Sequence, residues 1–306
     1  MFSTKTINRI KRNRIIYLML LPGIILTAIF SYTPLFGWWM AFTEYKIGKP
    51  IFQAEFIGLE NFKEFFGDMA EAWGLLKNTL AMNLLTLAIG MVAAMAFAIL
   101  INEVTNKKIK KIIQTTSFFP FFISWVIVYN IFNTFLASES GLLNVLFKNL
   151  GWIEEGINVL GEPRYSWGLI VASNIWKTLG YNSVLFLSAI TGIDSDLYCA
   201  AQVDGADRIQ KIMYITIPSL LPTLQVLLIL NVGWIFGSNF DQFYLFTNTM
   251  NKEKMMVFDM YIYNMGMKNL RYSYATAVGI VKSVASIFTI VVVNGVSKKL
   301  TKTGLF

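Results

Sequence analysis

The stretch that decides the fold is Leu197–Pro222, which reads LYCAAQVDGADRIQKIMYITIPSLLP. This polar, patterned segment lies between two long apolar runs. Asp194 is placed to cap a helix, and Gly205 can adopt the left-handed conformation that ends one. Asp207 is placed to cap a second helix, which is predicted to stop before Pro218 because proline disfavours helix at the preceding residue. The sequence therefore predicts a helix–turn–helix over Leu197–Pro218, named here the coupling segment.

The composition indicates an integral membrane protein. Of the 306 residues, 55% are hydrophobic and only 14% are charged, whereas soluble domains carry about a quarter charged residues. A net charge of +8 would suggest a nucleic-acid partner in a soluble protein. In a membrane protein such an excess orients the chain, so no nucleic acid is expected. The single cysteine excludes an intrachain disulfide, and without histidine the usual base and metal ligand is missing.

The predicted fold is an all-α integral membrane protein with six transmembrane helices, of which helices 2–6 form the core. A span needs about 20 apolar residues, and the first run is too long for a secretory signal and lacks a cleavage site. The chain divides into an N-terminal region, residues 1–77, a five-helix core, residues 78–296, and a tail, residues 297–306. The predicted spans are Ile15–Phe42, Asn78–Ile101, Ile112–Phe135, Trp167–Ile190, Ser219–Phe240 and Ala275–Val296.

The distribution of Lys and Arg predicts that both termini are cytoplasmic. With that orientation, 14 of the 26 Lys and Arg lie in the shorter inside segments and 10 in the longer outside loops, as the positive-inside rule requires. Only Lys177 and Lys282 fall within spans, and all 18 acidic residues fall in loops.

Three segments outside the spans have an apolar face. Phe56–Phe66 and Leu142–Phe147, in the outside loops, are predicted to be short amphipathic helices at the membrane surface. The coupling segment lies on the cytoplasmic side, where exposed apolar residues imply a docking partner that receives a helix in a groove. Those residues are Leu197, Tyr198 and Ala201 in the first helix and Ile209, Ile212 and Met213 in the second.

In these residues the chain resembles the permease subunits of ABC importers, of the binding-protein-dependent, MetI-like class. The signature of that family is Glu-Ala-Ala, three residues, Gly, nine residues, Ile, any residue, Leu-Pro. Here it reads Cys199-Ala200-Ala201, Gly205, then Ile215-Thr216-Ile217-Pro218. Further blocks resemble the family in order, and these are Leu21-Pro22-Gly23, Tyr32-Thr33-Pro34, Phe56–Phe62, Trp176-Lys177, Gly180-Tyr181, Phe240-Asp241-Gln242 and Tyr272–Gly279.

Two positions depart from the signature. Ile217 replaces a leucine, which conserves apolar character. Cys199 replaces the glutamate and removes a charge from the first helix of the coupling segment, so this subunit is expected to anchor its ATPase differently from a partner with the complete motif. The resemblance assigns ATPase coupling to Leu197, Tyr198, Cys199, Ala200, Ala201, Asp204, Gly205, Ala206, Ile215 and Pro218.

The resemblance implies a transport subunit that pairs with a second homologous permease, an ABC ATPase dimer and an extracellular, lipid-anchored sugar-binding protein. The resemblance is strongest to permeases of Gram-positive bacteria that import oligosaccharides or polysaccharide fragments across the cytoplasmic membrane. The sequence contains no Walker-type Gly-x-x-x-x-Gly-Lys-Ser/Thr motif. No catalytic residue, metal or cofactor is therefore expected in this chain, and ATP and Mg²⁺ are expected on the partner ATPase.

Sugars are bound by aromatic faces and planar polar groups, and such residues occur on the fourth and fifth predicted spans. Lys177 lies roughly 15 Å into its span, where a charge usually faces a protein interior or a water-filled space. One hypothesis is that Lys177 admits acidic or heavily hydroxylated glycans, and the alternative is that it joins helices. Lys282 lies nearer a span end, where a structural, outward-reaching role is predicted. The pathway candidates are Asn174, Trp176, Lys177, Asn182, Asn231, Trp234, Asn239, Asp241 and Gln242.

Two other classes of protein remain as alternatives. An ATP-independent channel or secondary transporter would be expected to show inverted repeats, which the sequence does not, and it would give the coupling segment no role. A membrane-embedded enzyme would need catalytic groups, yet the chain has no histidine and its acids are confined to loops.

Overall fold

The computed structural model describes residues 12–301. This part of the chain divides into two compact units, with boundaries after Asp68, Tyr261 and Val281. The first unit contains residues 12–68 and 262–281, and the second contains residues 69–261 and 282–301. Of the predicted cytoplasmic ends, residues 1–11 and 302–306 lie outside the described residues.

The first unit begins with a long helix whose winding changes twice. Helix α1, Arg14–Thr27, continues through a π-helical turn, Ala28–Tyr32, into a 3-10 segment, Thr33–Phe42. Pro34 lies at the start of the 3-10 segment, where a missing N–H costs little. No residue of α1 is buried, which is the surface expected of a helix in contact with lipid.

The remainder of the first unit is a short hairpin followed by helices. Strands β1, Thr43–Glu44, and β2, Glu55–Phe56, pair antiparallel. Helix α2, Glu60–Gly67, confirms a short helix within the predicted segment Phe56–Phe66, although Phe56 itself lies in β2. Asn61 Nδ2 donates to the Ala41 carbonyl at 2.9 Å. A 3-10 turn covers Ile51–Gln53, and a π-helical turn covers Asn264–Lys268.

The second unit is built from helices, and two helices run across a unit boundary, namely α13, Phe258–Tyr263, and α14, Tyr272–Thr301. Short 3-10 segments cover Phe119–Phe122 and Pro163–Tyr165. The other helices are α3, Met69–Glu103, α4, Lys107–Phe118, α5, Trp125–Leu136, α6, Leu142–Asn149, α7, Ser166–Thr191, α8, Ser195–Val203, α9, Arg208–Lys211, α10, Ile217–Val232, α11, Phe240–Phe246, and α12, Lys252–Met255.

The described chain contains four helices that are long and apolar enough to cross a membrane, and six if two bent pairs each count as one span. The bent pairs are α4 with α5 and α7 with α8, at angles of 106° and 69°. The predicted all-α membrane fold is therefore confirmed. The four helices are Arg14–Phe42, Met69–Glu103, Arg208–Val232 and Tyr272–Gly295.

The core of the second unit forms where α3 runs along α7. Small residues such as Ala94 and Ala98 on α3 are fully buried beside Phe186 of α7, because small side chains let helices in membranes approach closely. Leu220 of α10 completes this cluster. A second cluster packs α11 against α3 and α7.

The third predicted span, Ile112–Phe135, is not the continuous helix that the sequence suggested. Helix α4 ends at Phe118, and α5 begins at Trp125 in a different direction. Pro120 cannot donate a backbone hydrogen bond, and the Ser124 hydroxyl instead accepts from Ile127 N and caps a new helix.

The second helix of the coupling segment does not stop before Pro218, so that prediction was wrong. Helix α9 passes through a π-helical turn, Ile212–Thr216, directly into α10. The wider turn shifts the carbonyls that a proline ring would otherwise strike, and the helix continues. The fifth predicted span also ends early, at Val232 rather than Phe240.

Candidate functional site

The coupling segment is a tightly defined turn between two capped helices. The Asp194 side chain caps α8 by accepting from Asp196 N at 2.9 Å. At the other end, Gly205 has φ +80°. The N–H groups of Gly205 and Ala206 donate back to Gln202 and Ala201 at 3.2 and 2.8 Å, which is the Schellman motif.

A capping box begins the second helix of the segment. The Asp207 carboxylate accepts from Gln210 N at 2.7 Å, and the Gln210 side chain accepts from Asp207 N at 2.8 Å. The hydroxyls of Tyr198 and Thr216 lie 2.9 Å apart and join α8 to the π-helical turn. The two helices and the turn are therefore held as one body.

This body presents apolar side chains to its surroundings. Val203, Ile209 and Tyr214 are 88%, 71% and 79% exposed. Among the predicted coupling residues, Leu197, Cys199, Ala200 and Pro218 are exposed, and Tyr198 is half-buried. The remaining predicted coupling residues lie around a depression of about 330 Å³. Its lining consists of Ala201, Asp204, Gly205, Ala206, Gln210, Lys211, Tyr214 and Ile215.

A cavity of about 640 Å³ lies among α3, α7, α10 and the irregular chain that joins α10 to α11. Most of the sequence-predicted pathway residues line it, and these are Asn174, Asn182, Asn231, Trp234, Asn239 and Gln242. A separate cavity of about 780 Å³ at the beginning of α3 and at α12 contains none of the predicted residues.

Three predicted residues are not in that lining. Trp176 packs edge-on against Phe132, with ring centroids 6.0 Å apart. Asp241 is exposed in the first turn of α11. Lys177 is buried and donates to three backbone carbonyls, those of Pro120, Phe121 and Ile123, at 3.2, 2.8 and 2.5 Å. Its placement favours the alternative that it joins helices.

The amides of the cavity fall into two groups. Gln242 is buried and fixed, because its Nε2 donates to Ile170 O at 2.8 Å and to Ser173 Oγ at 2.9 Å. Asn174 donates to Gln242 Oε1 at 3.3 Å. Within the described chain, the side chains of Asn182 and Asn239 have no hydrogen-bond partner. Their donors and acceptors are therefore available to a hydroxylated ligand.

Sequence reasoning missed an aromatic pair in the cavity wall. Phe121 and Tyr181 both line the cavity and stack with centroids 4.1 Å apart and planes 6° from parallel. Gly180-Tyr181 had stood out only as a family block, and Phe121 carried no signal because its position depends on the break between α4 and α5.

Sequence reasoning also missed a charged pair in the cavity. Lys282 of α14 forms an ion pair with Asp259 of α13, and both line the cavity. Asp259 also accepts from Ser238 N and Ser238 Oγ at 2.9 and 2.6 Å. The sequence had assigned Asp259 to a loop outside the membrane and Lys282 to a structural role. The only available signal was that Lys282 is a charge inside an apolar run.

Comparison with known proteins identifies the relatives of this chain. Residues 86–302 match the family described as binding-protein-dependent transport system inner membrane component. Protein LplB of Bacillus subtilis (strain 168) is 38% identical over 97% of this chain and 92% of its own length. The polygalacturonan/rhamnogalacturonan transport system permease protein YteP, of the same organism, is 36% identical over 96% of this chain and 91% of its own.

A solved structure agrees over nearly the whole chain. A crystal structure of a bacterial ABC transporter involved in the import of the acidic polysaccharide alginate contains a chain with a TM-score of 0.86 and 35% identity, covering 97% of this chain and 99% of that one. The chain therefore belongs to the family of binding-protein-dependent transport system inner membrane components, and it is a multi-pass permease subunit of an ABC importer in the cytoplasmic membrane.

Proposed function

We propose that this chain forms part of the path by which oligosaccharides or polysaccharide fragments cross the membrane, driven by ATP that a separate subunit hydrolyses. The observation that carries the proposal is that α7 and α10, which line the cavity, are joined in the chain by the coupling segment. A partner that moved this segment would act directly on the cavity wall.

The chemistry of the cavity suits a sugar. Asn182 and Asn239, whose side chains have no hydrogen-bond partner among residues 12–301, offer amides to hydroxyl groups. Trp234, 77% exposed in the lining, offers an aromatic face. The names of two relatives supply the substrate class, since one transports polygalacturonan or rhamnogalacturonan and another alginate.

The partners follow from the same arrangement. The exposed apolar surface of the coupling segment would dock on an ABC ATPase dimer that holds ATP and Mg²⁺, and a second, homologous permease would complete the path. An extracellular sugar-binding protein would deliver the substrate, as in the alginate transporter crystallised with its pentasaccharide-bound periplasmic protein. Both termini would lie in the cytoplasm, and the relatives from Bacillus favour a Gram-positive source.

The decisive experiment is to express the chain with its neighbouring gene products and to reconstitute the purified complex in lipid vesicles. Stimulation of ATP hydrolysis by oligosaccharides, dependent on the binding protein, is expected. Transport that persists without ATP or without the ATPase subunit would instead support a channel or secondary transporter.

A further inference from the structure

We propose that Lys282 is the residue with which this cavity recognises the carboxylate group of an acidic sugar. The inference rests on the proposed function and names the substrate class for the cavity already described.

The first argument is the number of donors that Lys282 has left. A lysine ammonium carries three N–H donors. Within residues 12–301, Lys282 Nζ donates to one oxygen, Asp259 Oδ1, and to no other acceptor. Its side chain is 21% exposed and lines the cavity. Two N–H groups can therefore serve a ligand in the cavity.

Lys177, in the same unit, is a lysine whose N–H donors are all occupied. Its ammonium donates to three carbonyls, which uses every donor, and it lies outside the cavity lining. Both lysines lie within long helices, so they differ in their hydrogen-bond partners and not in their secondary structure. In the part of the chain that the structure describes, only Lys282 combines unused N–H donors with access to the cavity.

The second argument concerns Asp259, which would otherwise repel an acidic ligand. Its Oδ2 accepts from both N and Oγ of Ser238, and its Oδ1 accepts from Lys282. The carboxylate is thus held in place by the Ser238 donors as well as by the lysine. Asp259 neutralises Lys282 in the empty cavity, where a lone charge would be costly, and its charge is partly satisfied by Ser238.

The third argument is the rest of the lining. Lys282 is the only basic residue among the described residues that line this cavity. Amides and aromatic rings can bind acidic and neutral sugars alike, so discrimination in favour of a carboxylate falls to this ammonium. A charge-assisted hydrogen bond to a carboxylate is roughly twice as strong as a neutral one.

The test compares a trisaccharide of galacturonic acid with its fully methyl-esterified form, which keeps the rings and removes the charges. Equilibrium binding is measured on the complex purified with both permeases and the ATPase, without the binding protein, so that the binding protein contributes no selectivity. The wild type is expected to prefer the acid by about tenfold or more. Lys282→Met should bind the acid no more tightly than the ester, whereas Lys282→Arg should keep a preference for the acid.

Two further variants separate recognition from stability. Lys298→Met removes an exposed lysine from the same helix and is expected to leave the preference intact. The double variant Asp259→Asn, Lys282→Gln removes both charges and leaves polar groups in their place. The double variant should show no preference for the acid. It keeps the inference testable if Lys282→Met, which leaves Asp259 without its cation, fails to assemble.

Three outcomes would overturn the inference. One is an unchanged preference for the acid in Lys282→Met, and another is a preference restored in the double variant, as expected if Lys282 served only Asp259. The third is a wild type that binds acid and ester equally, which would overturn this inference but not the proposed function. A wild type that binds no oligosaccharide would overturn the proposed function, and the inference with it.

Discussion

At the residue scale, Gly180 marks the closest approach of α7 to the end of α4. A Cβ at this position would lie 2.6 Å from Phe118 N and closer still to the Ser117 carbonyl. Because these atoms are backbone, Gly180→Ala must separate the two helices, at an expected cost of about 1–3 kcal/mol. The melting temperature of the purified complex should fall, as measured by the loss of its monodisperse chromatographic peak after heating.

A matched control lies on the same helix. Gly168, also in α7, has nothing within 4 Å of an added Cβ, and alanine is the better helix former by about 1 kcal/mol. Gly168→Ala should therefore leave the melting temperature unchanged or raise it. Equal destabilisation by both substitutions would show that close packing at Ser117 is not the reason.

Lys177 is the second test at this scale. Lys177→Met removes the ammonium donor from the carbonyls of Pro120, Phe121 and Ile123, of which, within residues 12–301, only Pro120 O keeps another donor, the Ile123 N–H at 3.3 Å. Each carbonyl left unsatisfied costs about 1–3 kcal/mol. The break between α4 and α5 would then shift and would move Phe121, which lies in the cavity wall. Binding of acidic and neutral sugars should weaken to the same degree, measured with the galacturonate trisaccharide and its ester. Loss of acid binding alone would support the sequence-based hypothesis that Lys177 admits acidic glycans.

Lys177 and Lys282 show which features of single residues the sequence could not predict. Their depth in apolar runs identified both as unusual. Which of the two faces the cavity depends on partners that sequence spacing does not reveal. These partners are the carbonyls of Pro120, Phe121 and Ile123 for Lys177 and the carboxylate of Asp259 for Lys282. The amides on α7 and α10 were found because polar residues are rare enough in spans to stand out.

At the element scale, the turn of the coupling segment depends on the backbone conformation of Gly205. Its φ is +80°, and no atom lies within 4 Å of an added Cβ, so a substitution would act through strain alone. Gly205→Val should cost about 1–2 kcal/mol in that conformation and distort the surface that meets the ATPase. We expect ATP hydrolysis that no longer responds to substrate, measured in reconstituted vesicles.

The control for this prediction is Gly205→Asn, because asparagine tolerates the left-handed region better than other side chains. It should retain more of the substrate-stimulated activity than Gly205→Val. Normal stimulation in the valine variant would mean that the turn is not needed for coupling.

The helix caps of the coupling segment were predicted correctly, but the end of its second helix was not. Asp194, Asp207 and Gly205 act through neighbours two or three residues away, and such local hydrogen bonds can be read from spacing. The continuation through Pro218 could not, because it requires a π-helical turn at Ile212–Thr216. The break in the third span was missed for the related reason that Pro120 alone does not predict a change of direction.

At the scale of the whole molecule, the length and apolarity of the runs were sufficient to predict an all-α membrane protein. The cavity was not predictable as a volume, since it forms where the chain between α10 and α11 is irregular and where charged groups from α13 and α14 meet. The cavity is linked to the coupling segment because α7 and α10 both line the cavity and the segment joins them in the chain.

The orientation of the molecule can be tested with the chain as it stands. Cys199 is its single cysteine, and it is exposed on α8. If the coupling segment is cytoplasmic, a membrane-impermeant maleimide should label Cys199 in inside-out vesicles that lack the ATPase but not in right-side-out vesicles. A short bifunctional crosslinker at Cys199 should join the chain to the ATPase and not to the binding protein. Cys199→Ser, which keeps the size of the side chain, should abolish both signals. Labelling confined to right-side-out vesicles would reverse the topology, and with it the assignment of Leu197–Pro218 to the ATPase side.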